Sequence, residues 1–177
     1  KMRAAAVAHH LRGGVVTFSW HPRNPLTGGD TWDTSSKEVV ASILPGGEKH
    51  EFFKGWLSKA ADYLESIKTP DGKPVPVIFR PWHEHTRNFF WWGVDLCTVD
   101  QYKALWRMTY DYMTKDRGLD HLVWSYSPDA GGLFTYEDFG AKYPGDDIID
   151  MVGIDFYQFT PADIFIAKMK SSLDMTA

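Results

Sequence analysis

Segments patterned as β-strands alternate along this chain with segments patterned as α-helices. The strand-like segments are 15–20, 75–81, 121–126 and 148–157. The helix-like segments are 2–11, 48–68, 100–117 and a last one that starts near Pro161. Because strands joined through helices run parallel, this alternation predicts an α/β fold with a parallel sheet and helical crossovers.

The choice among α/β architectures depends on motifs and length. The chain contains no G-x-G-x-x-G after a strand and no G-x-x-x-x-G-K-[ST], so the nucleotide-binding folds lack their fingerprints. The closed alternative is the (β/α)8 TIM barrel, which typically needs about 250 residues. With 177 residues and four strand-like segments, the chain is predicted to be a partial barrel of about four β/α units. We expect both ends to be cuts within a longer protein.

Composition narrows the classes of function. A net charge of −4 does not favour nucleic acid as a partner, because neutralising phosphates requires clustered lysine and arginine. The single cysteine, Cys97, excludes an intrachain disulfide, and no histidine lies near it in sequence to activate it. The longest apolar runs fall far short of the roughly 18 residues that indicate a membrane span.

All four strand-like segments end in residues that are able to do chemistry. These ends are Ser19-Trp20-His21, Arg80-Pro81-Trp82-His83-Glu84, Ser125-Tyr126-Ser127-Pro128-Asp129 and Asp155-Phe156-Tyr157-Gln158. Barrel enzymes place their active sites at the carboxyl ends of the strands, so the set predicts an active site there. Ordinary transitions from strand to loop are the alternative.

Glu84 is the strongest candidate for acid–base chemistry. If the strand stays regular past Pro81, Arg80, Trp82 and Glu84 share one face. A carboxylic acid beside tryptophan in a poorly solvated pocket favours its neutral form and can donate a proton to a leaving oxygen. The alternative is a surface glutamate paired with Arg80 or Arg87.

Two other chemistries are less well supported by the motifs. His83-Glu84-His85 suggests metal ligands, but a helix-borne H-E-x-x-H motif would require histidine where the chain has Arg87. We therefore expect hydrogen-bonded pocket histidines and no metal site. Ser125-Tyr126-Ser127 is not a G-x-S-x-G elbow, so acyl hydrolysis has no nucleophile signal.

Four consecutive aromatic residues, Phe89-Phe90-Trp91-Trp92, occupy the loop after Glu84. Aromatic faces suit sugar rings, which have an apolar face and a polar rim. Bases also stack on aromatic side chains, but the net charge argues against that partner. Packing beneath a lid is the alternative for some of the four.

These motifs together resemble glycoside hydrolase family 26, a family of retaining (β/α)8-barrel glycosidases, and within it the β-mannanases. The matching segments are 13–21, 80–84 with 90–93, 123–129 and 152–157. The His-Glu pair followed by Trp-Trp-Gly is the most specific of them. The resemblance implies barrel strands three to six, so residues 1–177 would be the central part of a single glycoside hydrolase catalytic barrel. The chain departs from the family where Arg87-Asn88-Phe89 stands in place of Gly-Ser-Trp.

The resemblance also implies roles for particular residues. Glu84 would be the catalytic acid/base, and His83 would orient the glycone or the nucleophile. Tyr157 would contact the nucleophile, itself a glutamate on strand seven beyond Ala177. The expected substrate-binding residues are His21, His83, Phe89, Trp92, Tyr157, Asp155 and Asp129.

The implied function is endo-acting, retaining hydrolysis of β-1,4-mannosidic bonds in mannan, galactomannan or glucomannan, without a cofactor. The chain alone is expected to be inactive, since it would lack the nucleophile. Alternatives are the same fold acting on β-xylan or mixed-linkage β-glucan, a non-catalytic glycan-binding protein, and a metal hydrolase using His83 and His85. An extracellular, periplasmic or cell-surface location is expected from the resemblance.

Overall fold

The computed structural model describes residues 1–132, 135–157 and 161–176. The helices are α1 (Met2–His10), α2 (Val39–Ile43), α3 (His50–Glu65), α4 (Val99–Asp111), α5 (Tyr136–Gly140) and α6 (Ala162–Asp174). A π-helical turn (Tyr112–Asp116) continues α4, and a 3-10 turn covers Ala130–Gly132. The strands are β1 (Val16–Ser19), β2 (Val77–Arg80), β3 (Leu122–Tyr126) and β4 (Met151–Val152). The predicted alternation is confirmed.

The four strands form a parallel sheet in chain order, β1-β2-β3-β4. The fourth strand is shorter than the predicted segment 148–157, because only Met151 and Val152 join the ladder. Beyond them the backbone follows β3 through separate hydrogen bonds, from Gly153 N to Tyr126 O and from Asp155 N to Pro128 O. All strands therefore end at the same edge of the sheet. The predicted Gln158 at this end lies outside the described residues.

The two long amphipathic helices α3 and α4 bury their apolar faces against the sheet. Phe53 of α3 lies 6.0 Å from Trp82 after β2, and Trp106 of α4 lies 6.3 Å from Trp124 of β3, between ring centroids. Each buried side chain of this size contributes about 1.5–3 kcal/mol. Thr98 and Gln101 cap the start of α4 reciprocally. This packing holds the ends of β2 and β3 in fixed positions.

Sequence patterns missed the two short helices α2 and α5. Each spans five residues, which is too short to show a helical period. Helix α2 nevertheless contributes the fully buried Val39, Val40 and Ile43 to the core. Within the described part of the chain, no helix has both the length and the apolar character that crossing a membrane would require.

Candidate active site

The backbone leaves β2 through two left-handed residues. Trp82 has φ of 54° and Glu84 has φ of 55°, a conformation that costs a non-glycine residue free energy and persists only where its surroundings enforce it. Glu84 N donates to Ser127 O at 2.8 Å, which ties this turn to the end of β3. The strand alternation therefore stops at Arg80.

The predicted common face of Arg80, Trp82 and Glu84 is wrong for this reason. The Trp82 indole is fully buried, and its Nε1 donates to Thr109 Oγ1 of α4 at 3.2 Å. Glu84 instead contacts Tyr157, after β4, across the carboxyl edge of the sheet. Trp82 thus packs on the α4 side of the turn, whereas Glu84 projects into the site at the carboxyl edge of the sheet.

The Glu84 carboxyl is buried, with 7% of the residue exposed. Burial raises its pKa, and the charges of Asp155 and Asp129 raise it further. The Tyr157 hydroxyl donates to Oε1 at 2.9 Å, and this hydrogen bond acts in the opposite direction. A carboxyl with these neighbours holds its proton to higher pH than an exposed glutamate, as a general acid must.

Arg80 is engaged by Asp155 rather than by Glu84. Its Nη1 donates to Asp155 Oδ2 and, at 2.8 Å, to Ser127 Oγ; Ser127 Oγ also donates to Asp155. This network joins the ends of three strands beneath Glu84. Asp155 therefore holds the Arg80 guanidinium in place. Ser127 belongs to the same network, although sequence analysis gave it no part in binding Arg80.

His21 and His83 form a close pair, with their Nε2 atoms 3.0 Å apart. Burial and the charge of Arg80 lower the pKa of His21, and burial, Arg80 and His21 lower that of His83 to about 3. Both rings are therefore neutral at neutral pH, and one Nε2 donates to the other. Trp92 Nε1 donates to His83 O at 2.8 Å and so fixes the backbone of the pair.

The two histidines proposed as metal ligands face different partners. His83 contacts His21, whereas His85 Nε2 pairs with the Tyr126 hydroxyl at 3.0 Å. Within residues 1–132, 135–157 and 161–176, no group of three or more His, Cys, Asp or Glu side chains is arranged to hold a metal ion. His83 and His85 therefore belong to two separate hydrogen-bonded pairs.

The aromatic run divides into one exposed and three buried rings. Phe89 is 42% exposed, whereas Phe90, Trp91 and Trp92 are buried. The predicted contact between Trp92 and substrate needs correction, because this side chain is fully buried and stacks on Phe90 at 4.6 Å. Trp92 supports His83 from beneath, and Phe89 alone of the four presents a substantial surface.

Trp32 is an exposed aromatic residue that the tryptophan-rich composition near the strand ends included, but that was not among the expected substrate-binding residues. It is 62% exposed, and its ring lies 6.4 Å from Phe90, which itself contacts His21. Asp30 Oδ1 accepts from Trp32 N at 3.0 Å and holds the turn. The irregular loop around it carries no periodic pattern, so only the structure places this ring near the His21–His83 pair.

Asp129 lies at the end of β3 and is buried, with 7% exposed. Burial raises its pKa; a hydrogen bond from Gly131 N, 2.8 Å from Oδ1, and the charge of Arg87 counteract this. Thr86 Oγ1 donates to Asp129 O at 2.7 Å, which joins the loops after β2 and β3. Asp129 thus borders the site beside Glu84.

The sequence matches the profile described as glycosyl hydrolase family 26 over residues 2–170. A mannan endo-1,4-β-mannosidase of Bifidobacterium adolescentis is 38% identical over 148 residues, covering 82% of this chain and 14% of the relative. Another, of Bacillus subtilis (strain 168), is 38% identical over 162 residues, covering 85% of this chain and 42% of the relative.

The solved structure of a family 26 β-mannanase from Bacteroides ovatus superposes with a TM-score of 0.95 at 45% identity. The match covers 99% of this chain and 50% of that structure. The chain thus spans half or less of each of these relatives. The likeness confirms the fold as part of a (β/α)8 barrel.

Proposed function

Because the chain belongs to glycosyl hydrolase family 26, we propose that it is the central part of the catalytic barrel of an endo-acting β-mannanase. The proposed substrates are β-1,4-linked mannan, galactomannan and glucomannan. Relatives named mannan endo-1,4-β-mannosidases support this substrate class. The observation that carries the proposal is the buried Glu84 carboxyl, with its raised pKa, at the carboxyl edge of the sheet.

Glu84 is the proposed acid/base of a retaining double displacement. In the first step its proton passes to the glycosidic oxygen as a second carboxylate attacks the anomeric carbon, and the bond to the leaving sugar breaks. In the second step Glu84 takes a proton from water, whose oxygen replaces the enzyme carboxylate at that carbon. The second carboxylate is proposed to lie in the part of the family domain that this chain does not span.

The order of the strands suggests where the two halves of the substrate bind. His21 follows β1, Glu84 follows β2 and Asp129 follows β3. We assign the glycone, the part of the sugar chain that becomes attached to the enzyme, to the side of His21, His83 and Trp32. The leaving sugars then lie towards the end of β3, with Glu84 between the two halves. Asp155 and Tyr157 are assigned to the bottom of the substrate-binding cleft, next to Glu84.

The substrate is tested with the complete enzyme and three polymers. Linear β-mannan, β-xylan and mixed-linkage β-glucan are incubated separately, and the released oligosaccharides are analysed by chromatography. We expect mannobiose and mannotriose from mannan and no products from the other two. Products from xylan or glucan would replace mannan as the proposed substrate. Binding without products would indicate a glycan-binding protein.

Replacing Glu84 by Gln in the complete enzyme tests the acid/base role. The variant cannot protonate the leaving oxygen, so kcat on mannan is expected to fall by roughly 10²- to 10⁴-fold. β-Mannobiosyl fluoride, whose leaving group needs no proton, is expected to form the glycosyl-enzyme at a much less affected rate. Equal losses on both substrates would contradict the assignment.

Polymeric mannan is too large to cross a membrane intact, so we propose that the enzyme acts outside the cytoplasm. Fractionation of the producing cells, followed by assay of each fraction on mannan, tests this location. Activity confined to the cytoplasmic fraction would refute it. We expect activity in the medium, the periplasm or the cell surface.

A further inference from the structure

We propose that Arg87 is a specificity-determining positioning residue, which holds the Phe89 ring as a stacking platform for the first sugar on the leaving-group side. The proposal rests on the proposed function. It assigns to Arg87 a part in binding that acts through Phe89 rather than through the reacting atoms.

The first observation is the contact between Arg87 and Phe89. The guanidinium carbon lies 5.3 Å from the centroid of the Phe89 ring, within the range of a cation–π interaction. On another side, the edge of Phe90 approaches Phe89 at 6.5 Å with an interplanar angle of 79°. Two contacts therefore define the orientation of a ring that is still 42% exposed.

The second observation is the place where the guanidinium is held. The Arg87 head group lies against Gly131, where an added Cβ atom would come within 2.4 Å of Arg87 Nη1. Gly131 also donates its N–H to Asp129. Arg87 thus spans from the loop after β2 to the loop after β3.

The backbone between Glu84 and Phe89 makes the connection short. Arg87 N donates to Glu84 O at 3.3 Å, and Arg87 O accepts from Val94 N at 3.3 Å. Asn88 exchanges two hydrogen bonds with Asp95, at 2.7 Å and 3.0 Å. The loop that carries Phe89 is therefore hydrogen-bonded to the acid/base residue, and small shifts of Phe89 alter its alignment with the leaving sugar that Glu84 protonates.

The side of the site follows from the sheet. Arg87 reaches Gly131, after β3, which is on the opposite side of Glu84 from His21 in the strand order. In the proposed function this is the side of the leaving sugars. An exposed ring held there stacks on the apolar face of a sugar.

The experiment compares two substrates of the complete enzyme. Mannotetraose places sugar rings on the leaving-group side, whereas β-mannobiosyl fluoride places none there. We expect Arg87→Gly to lower kcat/KM for mannotetraose about two- to fivefold relative to kcat/KM for the fluoride, mainly through KM. Arg87→Lys, which keeps the charge and loses the planar head group, is expected to recover only part of the difference.

A double-mutant cycle separates positioning from direct binding. If Arg87 acts through Phe89, the loss caused by Arg87→Gly disappears in a Phe89→Ala background. Equal losses on both substrates, or additive losses in the cycle, would overturn the proposal. Wild-type hydrolysis of neither mannan nor mannotetraose would instead refute the proposed function, so the two failures are distinguishable.

Discussion

The ends of β2 and β4 reach the same site by different physical means. After β2, Trp82 is fully buried, and its ring lies 5.4 to 6.0 Å from those of Trp20, Phe53, Trp91 and Trp92. After β4, Tyr157 is 56% exposed, and Asp155 is held by Arg80 and Ser127. Packing therefore positions the end that carries Glu84, whereas polar contacts position the end that adjusts its pKa.

Because of this difference, separate parts of the molecule control the position of Glu84 and its pKa. Contacts among apolar rings involve no titrating group, so the packing around Trp82 does not change with pH. The pKa of Glu84 depends on burial and on the charges and hydrogen bonds that Asp155, Asp129, Arg80 and Tyr157 contribute. Variants at the β2 end should change stability, whereas variants at the β4 end should also shift the pH profile.

The largest expected effect is that of Trp82→Ala. Removing a fully buried indole leaves a cavity and takes away the N–H that donates to the Thr109 hydroxyl, so the free energy of unfolding should fall by about 3–5 kcal/mol. Urea denaturation of the complete enzyme, followed by tryptophan fluorescence, measures the change. If the variant does not fold, Trp82→Phe is expected to show a smaller loss of the same sign.

Trp32→Ala is the matched control, because the same chemical change is made at a ring that is 62% exposed. Its cost should be below about 1 kcal/mol. Similar losses at positions 82 and 32 would show that packing does not distinguish the two regions.

Asp155→Asn has the next largest expected effect. It removes the counter-charge of Arg80, whose side chain is only 20% exposed, so the free energy of unfolding should fall by about 2 kcal/mol. The loss of Asp155's negative charge and the uncompensated Arg80 both lower the pKa of Glu84. Since the proposed first step requires a protonated Glu84, the alkaline limb of kcat/KM should move to lower pH.

Asp147→Asn provides the control for Asp155→Asn, since Asp147 pairs with Arg107 on the surface, at 65% and 40% side-chain exposure. A surface pair contributes about 0–1 kcal/mol, and this one lies away from Glu84. An unchanged pH profile for Asp155→Asn, or the same shift for Asp147→Asn, would contradict the role assigned to the β4 end.

The fold was largely predictable because strand and helix periods are local signals. The alternation, the parallel sheet and the partial barrel all followed from the sequence. The strand ends were not predictable, because the left-handed turn at Trp82 and Glu84 is imposed by the surrounding packing and by Ser127. The alternation rule therefore assigned Trp82 to the wrong side.

The positions of the candidate site residues were more predictable than their contacts. Motifs pointed to Glu84, His21, His83, Asp129, Asp155, Tyr157 and Phe89, and the structure places all of them at the carboxyl edge of the sheet. No local pattern predicts that Arg80 pairs with Asp155, or that Trp92 is buried beneath His83. Such pairings depend on which strand ends become neighbours, and that is decided by the sheet.

Tyr157→Phe is the smallest and most discriminating change at the β4 end. The pKa of Tyr157 is raised to about 12, first by its hydrogen bond with Glu84, so at neutral pH its hydroxyl is protonated and donates to the Glu84 carboxylate. Removing this donor raises the pKa of Glu84, and the alkaline limb of kcat/KM should move to higher pH, opposite to the shift in Asp155→Asn. Because the ring is 56% exposed, the free energy of unfolding should change by less than about 0.5 kcal/mol.

Measurements of kcat/KM on mannotetraose across pH test the predicted direction of the shift for both variants, Tyr157→Phe and Asp155→Asn. If the two variants shift the limb in the same direction, Glu84 is not the group that the limb reports.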